Sequence, residues 1–140
     1  MTIDAQRRFT PTPLEQAYQL QGATIAVATN SQVLLNRLSS VLMPSSRCHG
    51  DTLALLWRVV VEPGEEIDVA VDSLSSHRVS QNGLVLVNFG QQNFLALDVD
   101  ARQGASFVSN NFILNESLFG QYFLPAFSSL VNEFLASRSR

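Results

Sequence analysis

The chain has 140 residues, 46% apolar and only 15% charged, with a formal net charge of −3 and a single cysteine. That length supports one domain with a core of its own, and one cysteine leaves no partner for an intramolecular disulfide. All nine cationic residues are arginines scattered along the chain, so the basic patch of a nucleic-acid or anionic-membrane binder is missing.

In chain order, residues 1–12 read as a polar leader without the apolar stretch of a secretory signal. Residues 13–137 read as a single domain and 138–140 as a solvated tail. No apolar run approaches the ~20 residues needed to cross a bilayer, and the longest, 53–61, is broken by Arg58. A cytoplasmic protein that avoids membranes and nucleic acid is the expectation. Pro13 is suited to open a short helix through Leu14, Ala17 and Tyr18, which Gln21-Gly22 would stop. Residues 23–28 form a strand carrying Ile25 and Val27. Thr29 and Gln32 resemble a capping box for a helix whose apolar positions are Val33, Leu34, Leu38, Val41 and Leu42, with Arg37 in the same stripe; the helix ends before Pro44. The Asn30-Ser-Gln turn holds no glycine, so a cap explains it better than a phosphate cradle.

Residues 53–61 are the most strand-like run. Leu53, Leu55, Trp57, Val59 and Val61 share one face, and Ala54, Leu56, Arg58 and Val60 the other, as in a central strand covered on both sides. Glu62-Pro-Gly-Glu65 has type II turn chemistry, and Ile67, Val69 and Val71 alternate with Asp68, Ala70 and Asp72 in an expected partner strand. Asn82-Gly83 is the strongest hairpin signal, joining 77–81 to 84–89. Residues 94–99 and 106–114 complete a chain of hairpins. A long helix then runs from Glu116 to about Ala136, N-capped by Asn115, with a kink or broken turn at Pro125. Its apolar residues fall in pairs four apart, Leu118/Phe119, Tyr122/Phe123, Ala126/Phe127, Leu130/Val131 and Phe134/Leu135, a wide stripe that must be covered. The expected fold is α+β: a meandering antiparallel sheet of about five to seven strands, with two or three helices packed mainly on one face.

Reactive side chains form no convincing set. Cys48, His49 and Asp51 are neighbours, but zinc needs at least three protein ligands, His77 is the only other histidine, and a polar loop explains the cluster. Asp68, Asp72 and Asp98 alternate onto outward faces, where carboxylates normally aid solubility, Asp100 lies in a turn, and Glu65-Glu66 belongs to a turn. With no lysine anywhere, a Walker-type phosphate loop is excluded. No catalytic residue, metal or cofactor is therefore assigned. The remaining candidate is a polar ledge of Asn88, Ser109, Asn110 and Asn111, with His77 beside it. Ser109-Asn110-Asn111 interrupts an apolar pattern, either as a bulge near a binding site or as an ordinary strand end.

Two stretches carry a family likeness. Gln21-Gly-Ala-Thr-Ile-Ala-Val-Ala-Thr-Asn-Ser-Gln-Val-Leu-Leu-Asn-Arg-Leu resembles a strand and helix near the start of bacterial HPr-kinase-like (HPr serine kinase-related) proteins. Asn93-Phe-Leu-Ala-Leu-Asp, Phe107-Val-Ser and Leu118-Phe-Gly-Gln-Tyr-Phe-Leu-Pro are similar to the segment preceding the kinase core of the same family. In that family a P-loop domain follows the final helix, and none of its nucleotide-binding or catalytic residues has a matching position here. The resemblance implies an amino-terminal accessory domain, or a free-standing relative of one, that recognises a partner or arranges subunits. Two functions follow: a non-enzymatic interaction or regulatory module that dimerises or binds a protein, or a small-molecule binder or small enzyme with a pocket between sheet and helices.

Overall fold

A computed structural model describes residues 11–45, 54–62, 77–89 and 93–138. Its centre is an eight-stranded mixed sheet. The strands are β1 (Leu14–Leu20), β2 (Ala23–Thr29), β3 (Met43–Ser45), β4 (Leu55–Glu62), β5 (His77–Gln81), β6 (Leu84–Asn88), β7 (Phe94–Asp98) and β8 (Gln103–Ser109), in the spatial order β3-β1-β2-β4-β8-β7-β6-β5. The helical segments are α1 (Gln32–Val41), α2 (Asn110–Leu114), the single turn α3 (Glu116–Leu118), a π-turn (Phe119–Phe123) and α4 (Leu124–Arg138).

The α+β class holds, but the sheet is larger than expected and not purely antiparallel. β4 runs parallel to both its neighbours, β2 and β8. The expected partnership of β4 with 67–71 therefore has no edge to occupy, and residues 67–71 themselves lie outside the described residues, as do Cys48, His49, Asp51 and all but Glu62 of the turn expected over 62–65. A second correction concerns 13–20, a strand and not a helix. Leu14, Gln16, Tyr18 and Leu20 point to one side, and Gln21 (φ 52°) and Gly22 (φ 82°) form the two-residue turn into β2 instead of a helix stop. Pairing along the whole of β2 outweighs the weak local preference for helix.

The helices lie on one face of the sheet, over Tyr18, Ile25, Val27, Leu55, Trp57, Val59, Val85, Leu95, Leu97 and Val108, all buried. The final helical run presents the expected stripe. Leu118, Phe119, Phe123, Phe127, Leu130, Val131 and Phe134 are buried, while Tyr122, Ala126 and Leu135 are half-buried. Phe119, Phe123 and Phe127 stack in sequence at 5.3 and 6.1 Å, and Phe127 meets Trp57 edge-on at 4.9 Å. The break near Pro125 is the π-turn, in which the Leu124 N–H reaches back five residues to the Phe119 carbonyl. Widening the helix there relieves the clash of the proline ring with the carbonyl four residues before it.

Asn115 caps α3 as expected, accepting from the N–H of Ser117 and Leu118. The cap of α1, however, is Ser31, whose hydroxyl accepts from the Leu34 N–H at 3.1 Å; Thr29 accepts from Ser31 N–H instead. The helix thus starts two residues later than a Thr29 cap requires, and it buries Leu34, Leu35 and Leu38 while Val33 and Val41 face outward. Residues 110–114 are likewise helix and not strand, because Ser109 ends β8 by accepting from the Phe112 N–H and capping α2.

Candidate functional site

Among the described residues every helix lies on one side, so the other face of the sheet is where functional side chains can be displayed. The strand registers arrange it in rows. One row crosses β4, β8, β7, β6 and β5 as Val60, Phe107, Phe94, Asn88 and His77. The next is Arg58, Ala105, Ala96, Leu86 and Val79, and the third is Leu56, Gln103, Asp98, Leu84 and Gln81. The surface is mostly apolar. Phe94 and Phe107 stack at 5.1 Å, and small alanines make the middle of the face shallow. Near β1 and β2 it is closed, with Ala17, Ala26 and Val60 buried, whereas towards β5 it opens, with Leu84 52% and Val79 58% exposed. Arg58 is the cation of the central row, half-buried, its Nε donating to the Thr12 hydroxyl at 3.3 Å.

The polar ledge is only partly assembled. His77 and Asn88 are cross-strand partners at one end of the sheet. Ser109 ends β8, which β7 separates from β6, so two strand spacings put it roughly 10 Å from β6, the strand of Asn88. Its backbone N–H donates to Asn93 Oδ1 at 2.7 Å and its hydroxyl is taken up by the α2 cap. Asn110 and Asn111 are the first residues of α2. Asn30 is also committed: its side-chain amide donates to the Val61 carbonyl at 2.9 Å and accepts from the Val61 N–H at 2.8 Å, continuing the β2–β4 pairing like an extra strand residue. Asp98 is exposed on the outer face and accepts from the Ala101 N–H, an ordinary turn contact.

A cleft of about 350 Å³ lies at the opposite end of the sheet from Asn88 and Ser109, between the β5–β6 turn and the last turns of α4. Val85 and Val99 are apolar parts of its lining, Ser80 and Asn82 edge it on the hairpin side, and Glu133 and Ser137 on the helix side. Glu133 is ion-paired with Arg78, and the Ser137 hydroxyl donates to the Phe134 carbonyl. None of Asn88, Ser109, Asn110, Asn111 or His77 lines it. Among the described residues no three His, Cys, Asp or Glu side chains are grouped to hold a metal, and no helix is long and apolar enough to cross a membrane.

Two features were missed in the sequence. Arg37, which falls among the apolar positions of α1, donates to the Leu114 carbonyl at 2.6 Å, lies 3.8 Å from Glu116 and sits 5.9 Å from the centre of the Phe119 ring, pinning the α2–α3 corner. Tyr18 is the other: its hydroxyl donates to the Leu35 carbonyl at 3.1 Å and bonds Ser39 at 3.0 Å, with burial pushing its pKa up against a smaller lowering by Ser39. Both serve the fold. Set against known proteins, the chain matches no family model, no curated protein and no solved structure.

Proposed function

We propose that the chain is a non-enzymatic interaction or regulatory module, comparable to the accessory region that precedes an HPr-kinase-like P-loop domain, and that it works by associating with another protein or a second copy of itself. The observation that supports this is the one-sided sheet: the described helices cover one face, and on the other Leu56, Leu84 and Val79 are exposed, with Phe94, Phe107 and Leu86 half-buried among them. Exposed apolar side chains gathered on one face are characteristic of interaction surfaces. The stretches carrying the family likeness fall on β2 with α1, on β7 and β8, and on the π-turn leading into α4, which are parts of the scaffold.

The test is sedimentation of the intact chain at micromolar concentration, alone and with Leu84→Ser, which removes an exposed apolar contact while leaving the helix-covered core in place. Association weakened several-fold by Leu84→Ser supports the module. A strict monomer without a protein partner contradicts it.

The cleft beside α4 favours a second reading, a small-molecule binder. A thermal-shift panel separates the readings, because a ligand for that cleft would raise the melting temperature and Ser80→Leu would abolish the rise. The ledge is tested in the same panel by Asn110→Ala with Asn111→Ala.

A further inference from the structure

We propose that β5 is the seam along which two copies of this chain join, each sheet continuing into the other across a two-fold axis; this rests on the reading of the chain as an interaction module and specifies its partner and its contact. The two borders of the sheet differ. At one, β3 is three residues long with Pro44 in the middle, a short strand lacking a backbone donor, which is how proteins blunt an edge. At the other, β5 pairs residue for residue with β6 over five positions, carries no proline or lysine, and is exposed throughout. Among the described residues β6 is its sole neighbour in the sheet.

The register makes that edge self-complementary. Asn82 (φ 54°) and Gly83 (φ 82°) form a two-residue turn of the I′ kind, so the flanking Gln81–Leu84 pair exchanges both backbone hydrogen bonds. Alternation then turns the backbone groups of Gln81, Val79 and His77 towards β6 and those of Arg78 and Ser80 away from it. The outward-facing residues lie on either side of Val79. A two-fold axis at Val79 sets Arg78 against Ser80 of the second copy and Ser80 against Arg78, so that the outward N–H and C=O groups of both strands pair. Val79 meets its own counterpart at a non-hydrogen-bonded position, where side chains approach most closely, about 4.5 Å between Cα atoms. It is 58% exposed, with Leu84 and Leu86 beside it on the same face, so the apolar patch continues across the seam. On the helix side Arg78 is already neutralised by Glu133. A seam of five residues buries less than the ~1,200 Å² of a standard interface and so belongs with the weak, transient associations, for which the micromolar range is the one to search.

The test is sedimentation of the full chain from about 1 to about 200 µM, a span bracketing that range, with three variants. Ser80→Pro removes an outward donor without touching the β5–β6 bonds, and Val79→Lys puts a charge on the axis. Val79→Cys in a Cys48→Ser background should form an interchain disulfide under mild oxidation. Expected are a concentration-dependent dimer, a dissociation constant raised at least ~10-fold by Ser80→Pro and by Val79→Lys with circular dichroism unchanged, and rapid crosslinking of the cysteine variant. Should Ser80→Pro unfold, Val79→Lys and the crosslink decide. A wild type monomeric at ~200 µM, or a dimer indifferent to the folded variants and refractory to crosslinking, overturns the seam. A complex with a different protein that is equally indifferent also overturns it, while leaving the interaction module standing.

Discussion

Trp57 shows how closely single side chains are fitted. Its indole N–H donates to the Ser106 hydroxyl at 2.7 Å inside the core, and Gly104, its partner across β4 and β8, leaves room for the ring face. A Cβ at Gly104 would overlap the indole. Ser106→Ala leaves the buried N–H without an acceptor and is expected to cost about 1–3 kcal/mol. Urea unfolding followed by fluorescence measures this, since Trp57 is the single tryptophan. Gly104→Ala should be at least as damaging, because overpacking a filled core costs about 1–3 kcal/mol. A Ser106→Ala protein of wild-type stability would mean that the indole finds another acceptor. The sequence marked Trp57 as core through its alternation with Leu55 and Val59. It gave no sign of Ser106, which reaches Trp57 only because β8 lies beside β4.

At the scale of elements, legibility followed the range of the interactions. The Asn82-Gly83 hairpin, the Asn115 cap and the aromatic stripe of the last helix are each encoded within a few residues, and each formed where expected. β1 did not announce itself: Leu14, Ala17 and Tyr18 fit a helical face as readily as Leu14, Gln16 and Tyr18 fit a strand, and only pairing with β2 decides. The tie between β1 and α1 is Tyr18, whose hydroxyl spans from the strand to Leu35 and Ser39. Burial raises its pKa above the ordinary 10.0. The unfolded chain therefore loses the phenol proton before the folded one does. Stability from this group is fully present below pH 10 and declines as pH rises from there through the higher folded value. Tyr18→Phe should lower stability by about 1 kcal/mol at neutral pH and flatten the decline above pH 10. Unfolding midpoints at pH 8 and pH 11 compare the two proteins; parallel losses in both would show that Tyr18 does not carry the alkaline sensitivity.

For the whole molecule, the α+β class was legible because period-two and period-3.6 segments are segregated along the chain. Strand order was not, since the parallel placement of β4 between β2 and β8 is fixed by contacts between distant residues. The same limit applies to the site. Asn88, Ser109, Asn110, Asn111 and His77 share polarity but are distributed over strand ends and a helix start, and Ser109 is occupied by capping. What folding creates, among the described residues, is a sheet with one helix-covered face, one face on which Leu56, Val79 and Leu84 are exposed, and a border strand, β5, exposed along its length.

Whether this chain offers a surface or a reaction centre is decided by native mass spectrometry of the protein isolated from its own host. An interaction module should appear as an assembly, either twice the 15.4 kDa chain or the chain with a protein partner, with no stoichiometric small ligand. A single chain carrying one small molecule would contradict it.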